Sequence, residues 1–306
     1  IFDIKLRLFN AQEIIILSHQ CINFTSFSFL IKKYTKISLY LMDNAFFCVK
    51  SYNYIEGENQ ECLKCIINGT GQAKINNCKS FPIEISKNSQ LNRIALLKKY
   101  QKKIKFISLS KTNSILVKKF FGDDVNSTYS YFLTNELLQN NLPEKNKLFS
   151  YDFVFHASDQ ELKGFNYIIK LAENLPNHSF FIPTSKKINL KNIECRNIRW
   201  EEGLDKIVFN SKIILTPSLW SNTPEAAMLK SMKLGKCVAL IKNQYGFANE
   251  MPPDSYIALS QNLRKDVSFL KEVISDKNKL LFYQNNSLIY FNHYSKKAFE
   301  QITNLI

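Results

Sequence analysis

Glycine and proline are scarce in this chain, eight of each in 306 residues, and tryptophan occurs only twice. A collagen repeat needs far more of the first two and a mucin-type stalk far more proline, so neither is possible. Seven cysteines are too thinly spread for a disulfide-scaffolded miniprotein. Long apolar runs are missing as well. The longest uncharged stretch, Ile14 to Ile31, carries Ser18, His19, Gln20, Asn23, Thr25, Ser26 and Ser28, too many polar groups for lipid. Asp3, Lys5, Arg7 and Glu13 interrupt the region where a signal peptide would need an unbroken apolar core. These absences point to a cytoplasmic protein. No internal repeat or low-complexity tract is found.

What is present is globular: 45% hydrophobic and 22% charged residues, too apolar for disorder. At this length two domains of roughly 150 residues are expected. The sequence opens on Ile1, not Met, inside what reads as a structural element. The expectation is that more chain precedes it and that the first domain is partial.

Acidic residues are the scarcer charge, 26 against 41 Lys and Arg, a net of +15. Excess positive charge can serve nucleic acid through counterion release. The basic residues, however, fall in short groups such as Lys98, Lys99, Lys102, Lys103 and Lys105, then Lys118 and Lys119, then Lys186 and Lys187. No zinc-finger, RRM or KH signature lies among them. Nucleic acid is therefore not the expected partner. The charge reads as solvated lysines, or as attraction to a phosphorylated substrate or to anionic lipid at the inner face of a membrane, which would make the protein peripheral there.

Periodicity predicts alternating strands and helices. Asp152–His156 reads as a buried strand, and Gly164–Leu175 places Phe165, Ile168, Ile169, Ala172 and Leu175 on one helical stripe. Strands are predicted at Ser179–Ile182, Ile198–Trp200, Lys212–Thr216 and Cys237–Ile241. Helices are predicted at Leu204–Phe209 and Pro224–Leu234. Asn262 to Ile306 reads as mostly helical, with a break at Asn285–Asn286. In the first half, Glu13–Leu17, Ile37–Leu41 and Ile104–Ser108 read as strands and Phe27–Lys33 as helical. This alternation implies α/β architecture with parallel sheets. Domains are expected at 1–145 and 150–306, divided by the polar stretch Asn140–Leu148.

The most informative segment runs from Leu215 to Ala239. A strand ends near Thr216, a polar loop follows, and a helix is predicted with Thr223 as N-cap and Pro224 in its first position. Such a loop delivers a helix N-terminus to the carboxyl edge of a parallel sheet, where unpaired amides and the helix dipole suit phosphate. An ordinary capped helix would look the same.

Ser218-Leu-Trp-Ser-Asn-Thr-Pro-Glu-Ala-Ala-Met-Leu-Lys-Ser-Met-Lys-Leu-Gly-Lys-Cys-Val238 resembles the donor-site helix of the group 1 glycosyltransferases, nucleotide-sugar enzymes of the GT-B fold. Val154–Gly164 is similar to that family's strand and Lys-Gly turn, Asn243–Glu250 to its glycine loop, and Phe106–Phe120 to the last strand–helix unit of its N-terminal domain. The resemblance implies a GT-B-like fold of two Rossmann-type domains, the first truncated. It implies a hexosyltransferase-type enzyme that moves a sugar from a nucleotide diphosphate to a glycan or lipid-linked acceptor in surface-polysaccharide assembly, with retention. The donor would lie in the C-terminal domain and the acceptor in the cleft between domains. No cofactor or metal is implied.

Carried onto this sequence, Lys163 would face the donor phosphates, Gly246 would let its loop approach the sugar or diphosphate, and the helix after Thr223 would meet the nucleotide. Lys163 alternatively is a solvated turn lysine. The sequence departs from the family where an arginine is usual, here Ser158, and at its two spaced glutamates, here Asn222 and Lys230. Glu225 is the nearby carboxylate. Either it binds a sugar or ribose hydroxyl, with Lys230 as an added phosphate contact, or the donor site is altered and the protein binds without turnover. A bland role for Glu225 is to complement the helix dipole.

Leu39–Cys48 resembles the family's strand ending in His-Asp, with Met42 in place of the histidine and Asp43 retained. Asp43 would accept an acceptor proton or bind sugar, or it simply caps a turn. His19 ends the preceding strand and is a second cleft candidate, or it is a structural histidine. Cys62 and Cys65, flanked by Cys48 and Cys78, read either as a zinc-tied loop or as reduced loop thiols. Cys21, Cys195 and Cys237 read as buried apolar residues.

Overall fold

The computed structural model describes residues 11–57, 60–138, 143 and 150–303. The chain forms two compact units. One comprises Ile1–Ile55, Glu61–Ser130 and Ser221–Thr223, the other Glu56–Gln60, Tyr131–Trp220 and Pro224–Ile306. The boundary expected at Asn140–Leu148 lies outside the described residues except for Pro143.

The first unit holds a four-stranded parallel sheet in the order β1-β2-β3-β4: β1 Glu13–Ile16, β2 Lys36–Leu41, β3 Ile104–Ser108 and β4 Ser127–Tyr129. Its helices are α1 Phe24–Lys33, the short α2 Lys64–Asn68 and α3 Gln72–Ile75, α4 Lys87–Tyr100, and α5 Lys111–Phe121. Caps are written in the sequence: the side chains of Asn23, Ser86 and Ser110 accept the amide of the third residue on, at the heads of α1, α4 and α5. Leu39 and Leu41 of β2 and Phe106 of β3 are buried with Phe27 of α1. Each such side chain contributes about 1.5–3 kcal/mol by leaving water.

The second unit begins its helices with α6 Asn135–Leu138 and holds a six-stranded parallel sheet in the order β10-β9-β8-β5-β6-β7. Its strands are β5 Phe153–Phe155, β6 Phe180–Ile182, β7 Ile193–Cys195, β8 Ile213–Leu215, β9 Cys237–Ile241 and β10 Ile257–Leu259. Helix α7 spans Phe165–Glu173, α8 Leu204–Asn210, α9 Ala226–Lys233, α10 Leu263–Ser275 and α11 Lys277–Thr303. Strands β5, β6, β8 and β9 are buried at every position, as expected when helices cover both faces of a parallel sheet. Val154, Ile214 and Val238 of the sheet pack with Met228, Leu229 and Met232 of α9 and with Phe291 and Tyr294 of α11.

Three local expectations are corrected. The strand read at Ile198–Trp200 lies earlier, at Ile193–Cys195, and Trp200–Glu202 instead forms a 3-10 turn. The Glu202 carboxylate accepts the Arg199 amide at 2.9 Å, which closes that turn. The break read at Asn285–Asn286 falls at Asp276, whose carboxylate accepts the amides of Asn278 and Lys279 and starts α11; α11 then runs unbroken past both asparagines. The third concerns the head of α9.

Candidate functional site

In the second unit, β5, β8 and β9 all release their chain at the carboxyl edge of the sheet. After β8 the loop passes Pro217, Ser218 and Trp220 before α9. That helix was expected to begin at Pro224 behind a Thr223 cap, but it begins at Ala226 with Glu225 in the N-cap position. Thr223 belongs to the first unit, where its hydroxyl donates to the Met42 carbonyl at 3.4 Å, so it is not available as a cap. Glu225 is extended, φ −93° and ψ 130°, and its side chain does not cap the helix. One of its carboxylate oxygens instead accepts from Lys163 Nζ at 2.8 Å and from Ser218 Oγ at 2.7 Å.

Lys163 and Glu225, residues 62 apart in sequence, thus form an ion pair whose side chains are 18% and 11% exposed. The Lys163 ammonium also stands 5.3 Å from the centre of the Trp220 ring, within cation–π range. Two features seat the pair. Gly164 follows Lys163 in a left-handed conformation, φ 82°, and the turn is stitched to the loop after β8 by the Leu219 amide donating to the Leu162 carbonyl at 2.8 Å. Two residues past β9, the buried Asn243 donates through its amide nitrogen to the carbonyls of Ser218 and Trp220, both at 2.8 Å. The sequence did not single out Ser218, Trp220 or Asn243 individually. The signal for Asn243 was an amide two residues past a fully buried strand.

The other expected residues face solvent or make contacts of their own. Ser158 is exposed. Lys230 Nζ is 4.9 Å from the centre of the Trp200 ring and 3.9 Å from a Glu136 carboxylate oxygen. Trp200 in turn stacks on His156, ring centres 5.0 Å apart and 9° from parallel. His156 Nδ1 is 3.0 Å from Ser231 Oγ, and its pKa is pushed down to about 3, by burial first and by the Lys230 charge second. A cavity of about 200 Å³ opens beside this stack, lined by Glu136, Trp200, Glu201, Asp205, Lys230 and Lys233 among others. Gly246 has an ordinary extended backbone, φ −78°; its carbonyl accepts the Asn249 amide nitrogens, main chain at 3.1 Å and side chain at 2.9 Å.

In the first unit, Asp43 lies two residues past the end of β2. One carboxylate oxygen accepts the Ala45 amide at 2.8 Å, the turn-capping geometry, and burial raises its pKa to about 6 against that single hydrogen bond. His19 is buried against Phe27, with its carbonyl held by Arg93 Nη1. Burial, then the Arg93 charge, lowers its pKa to about 4, so it is a neutral core residue. Asn222 and Thr223 also belong to this unit. Next to them, Ser221 receives the Asn44 amide on its carbonyl at 3.0 Å and the Asn53 amide on its hydroxyl at 2.7 Å, while its own N–H donates to Asn53 Oδ1 at 3.1 Å.

All seven cysteines are free thiols. The Cys48 thiol is pushed well above its usual range by burial first, with Cys65, Cys62 and Cys78 adding to the rise; Cys65 is pushed up to about 11 by the same burial. Among the described residues no group of three or more His, Cys, Asp and Glu is arranged to hold a metal ion. Cys237 is buried as expected, but Cys21 is exposed and Cys195 half-exposed, so the apolar reading of those two is corrected.

No protein-family model matches the chain, and no curated protein matches it by sequence. Solved structures match in fold at low identity. Sucrose-phosphate synthase from Thermosynechococcus elongatus superposes with a TM-score of 0.67 at 10% identity, over 99% of this chain and 75% of that one. WaaG, a glycosyltransferase involved in lipopolysaccharide biosynthesis, gives 0.60 at 12%, over 95% and 76%. HepE from Anabaena, in complex with UDP and glucose, gives 0.58 at 10%, over 92% and 80%. The fold of this chain is the GT-B fold of these glycosyltransferases, α/β with two parallel sheets.

Proposed function

We propose that the protein is a glycosyltransferase that moves a sugar from a nucleotide-diphosphate donor to a glycan or lipid-linked acceptor, with retention at the anomeric carbon. The observation that carries the proposal is the Lys163–Glu225–Ser218 constellation at the head of α9, on the carboxyl edge of the six-stranded sheet. As the bond between sugar and phosphate breaks, negative charge grows on the leaving diphosphate. An ammonium and aligned helix amides in a partly dehydrated site stabilise that charge where it develops. Glu225 keeps Lys163 in place before the donor arrives and then offers its second oxygen to a sugar or ribose hydroxyl. The GT-B likeness to WaaG and to HepE, which binds UDP and glucose, supports the same reading. Asp43, with a pKa near 6, is ionised at neutral pH and suited to hold an acceptor hydroxyl.

A second reading, binding without turnover, has its own observation: Ser158 stands exposed where the family carries an arginine, and Lys230 packs on Trp200 where the family carries a glutamate. Incubation with UDP-, GDP- and ADP-sugars separates the two. Release of the nucleotide diphosphate, lost in Lys163→Ala, supports the enzyme. Nucleotide binding without release from any of them, with glycan acceptors present, supports the second reading.

A further inference from the structure

We infer that the loop cluster between β2 and α4 is a docking surface for an anionic lipid bilayer. Three isoleucines project from it almost fully into solvent: Ile67 at the end of α2 is 73% exposed, Ile75 at the end of α3 74%, and Ile83 in the following loop 84%; Phe81 adds a partly exposed ring. Isoleucine left in water at these fractions gains nothing for folding, and three within 17 residues of sequence form a pattern, unlike a single stray apolar residue.

The tips are held out by anchoring. Cys65 and Ala73, the inward residues of α2 and α3, are buried. The Phe81 carbonyl accepts three side-chain donors, Gln20 Nε2 at 2.9 Å, Ser51 Oγ at 2.9 Å and Gln90 Nε2 at 3.0 Å, and the Phe81 amide donates to Val49. Ile83 is therefore presented by a pinned turn. Binding needs little further ordering of the backbone there.

Charge selects the partner. From Cys62 to Lys87 the chain carries Lys64, Lys74, Lys79 and Lys87 against the single acid Glu84. Lysines around aliphatic tips are the composition of an interfacial anchor, in which apolar side chains enter the headgroup boundary and ammonium groups meet anionic lipid. Each lysine near such a surface strengthens binding about fivefold at physiological ionic strength, and high salt removes that gain. A nucleic-acid surface would instead alternate basic groups with aromatic stacking platforms.

The test is co-sedimentation of the full chain with phosphatidylcholine vesicles, with and without phosphatidylglycerol. The wild type is expected on the anionic vesicles and not on the neutral ones. Ile67→Ser/Ile75→Ser/Ile83→Ser should reduce binding tenfold or more, and Lys74→Glu/Lys79→Glu should reduce it by a similar factor, with Tm held within about 2 °C because the altered side chains are exposed. Both variants should keep whatever nucleotide response the wild type has, so failure here does not bear on the donor site. Binding to neither vesicle overturns the proposal. So does binding unchanged in both variants, or a wild-type dimer that the isoleucine variant dissolves, which would assign the patch to a second copy of the chain.

Discussion

Gly164 and Pro217 approach so closely that a Cβ on residue 164 would lie 2.4 Å from the Pro217 carbonyl oxygen and 2.7 Å from its Cγ. Backbone meets backbone there, so neither side can give way cheaply. Gly164 is also at φ 82°, where an L side chain costs about 1–2 kcal/mol. Gly164→Ala should lower the melting temperature by several degrees and push the Lys163 turn off the loop that leads to Glu225. Nucleotide binding should fall with it, measured by calorimetry on the fraction that remains folded.

Glu225 neutralises Lys163 and would repel a diphosphate approaching the same ammonium. Glu225→Gln keeps an acceptor for Ser218 and Lys163 but removes the charge. UDP, GDP or ADP, whichever the protein prefers, should bind it two- to tenfold more tightly, while sugar transfer falls at least tenfold because a hydroxyl partner is weakened. Undiminished sugar transfer by the Gln variant would contradict the assigned role, and weaker nucleotide binding would put the Glu225 contact on the ribose and not on the sugar.

Asp43 and the two buried histidines should set opposite pH trends. The native state holds the Asp43 proton to about pH 6 against 3.8 for the ordinary carboxyl, so its contribution is full below pH 4 and is lost as pH rises through 6. Asp43→Asn should remove that loss and stabilise the protein at pH 7 but not at pH 4. His19 and His156 are lowered from 6.5 to about 4 and about 3. Their contribution is present above pH 6.5 and is lost as pH falls toward those values. His156→Gln should reduce the slope of unfolding free energy between pH 6 and 4.5 by about one proton, roughly 1.4 kcal/mol per pH unit, read from denaturant titrations.

Asn44, Asn53 and Ser221 form a buried polar network, and Asn113 Nδ2 donates to Asn44 Oδ1 at 2.8 Å to extend it. Asn53→Ala strands several of these groups away from water. A loss of about 2–4 kcal/mol is expected, whereas Asn53→Asp should cost more because it buries a charge. Urea unfolding measures both.

Much of this architecture was legible because parallel strands buried on both faces are continuous apolar runs, such as Cys237–Ile241, and because α7 carries a clean apolar stripe. Strands β4 and β10 escaped notice because, unlike the equally short β5, β6 and β8, they are not runs of wholly buried apolar residues: β4 is only half-buried throughout and Ala258 in β10 is exposed. Helix α4 did so because its buried face includes Gln90 and Arg93, which fix loops by hydrogen bonds and so break the apolar pattern. At the site, Lys163 and Glu225 could be named from the sequence, but their pairing depends on Gly164, on Asn243 and on a helix start shifted by two residues. Those are tertiary facts with no local signature. The reach of Thr223 to Met42 is another, and it explains why a well-placed capping residue does not cap.

On the proposed function, a nucleotide diphosphate binds at Lys163 and the head of α9. Isothermal titration of the full chain with UDP, GDP and ADP tests it directly. At least one should bind with a Kd of about 1 mM or tighter, and Lys163→Ala should weaken it tenfold or more, worth about 1.4 kcal/mol, without a loss of fold by circular dichroism. No heat from any of the three, or an affinity that Lys163→Ala leaves unchanged, would contradict the account.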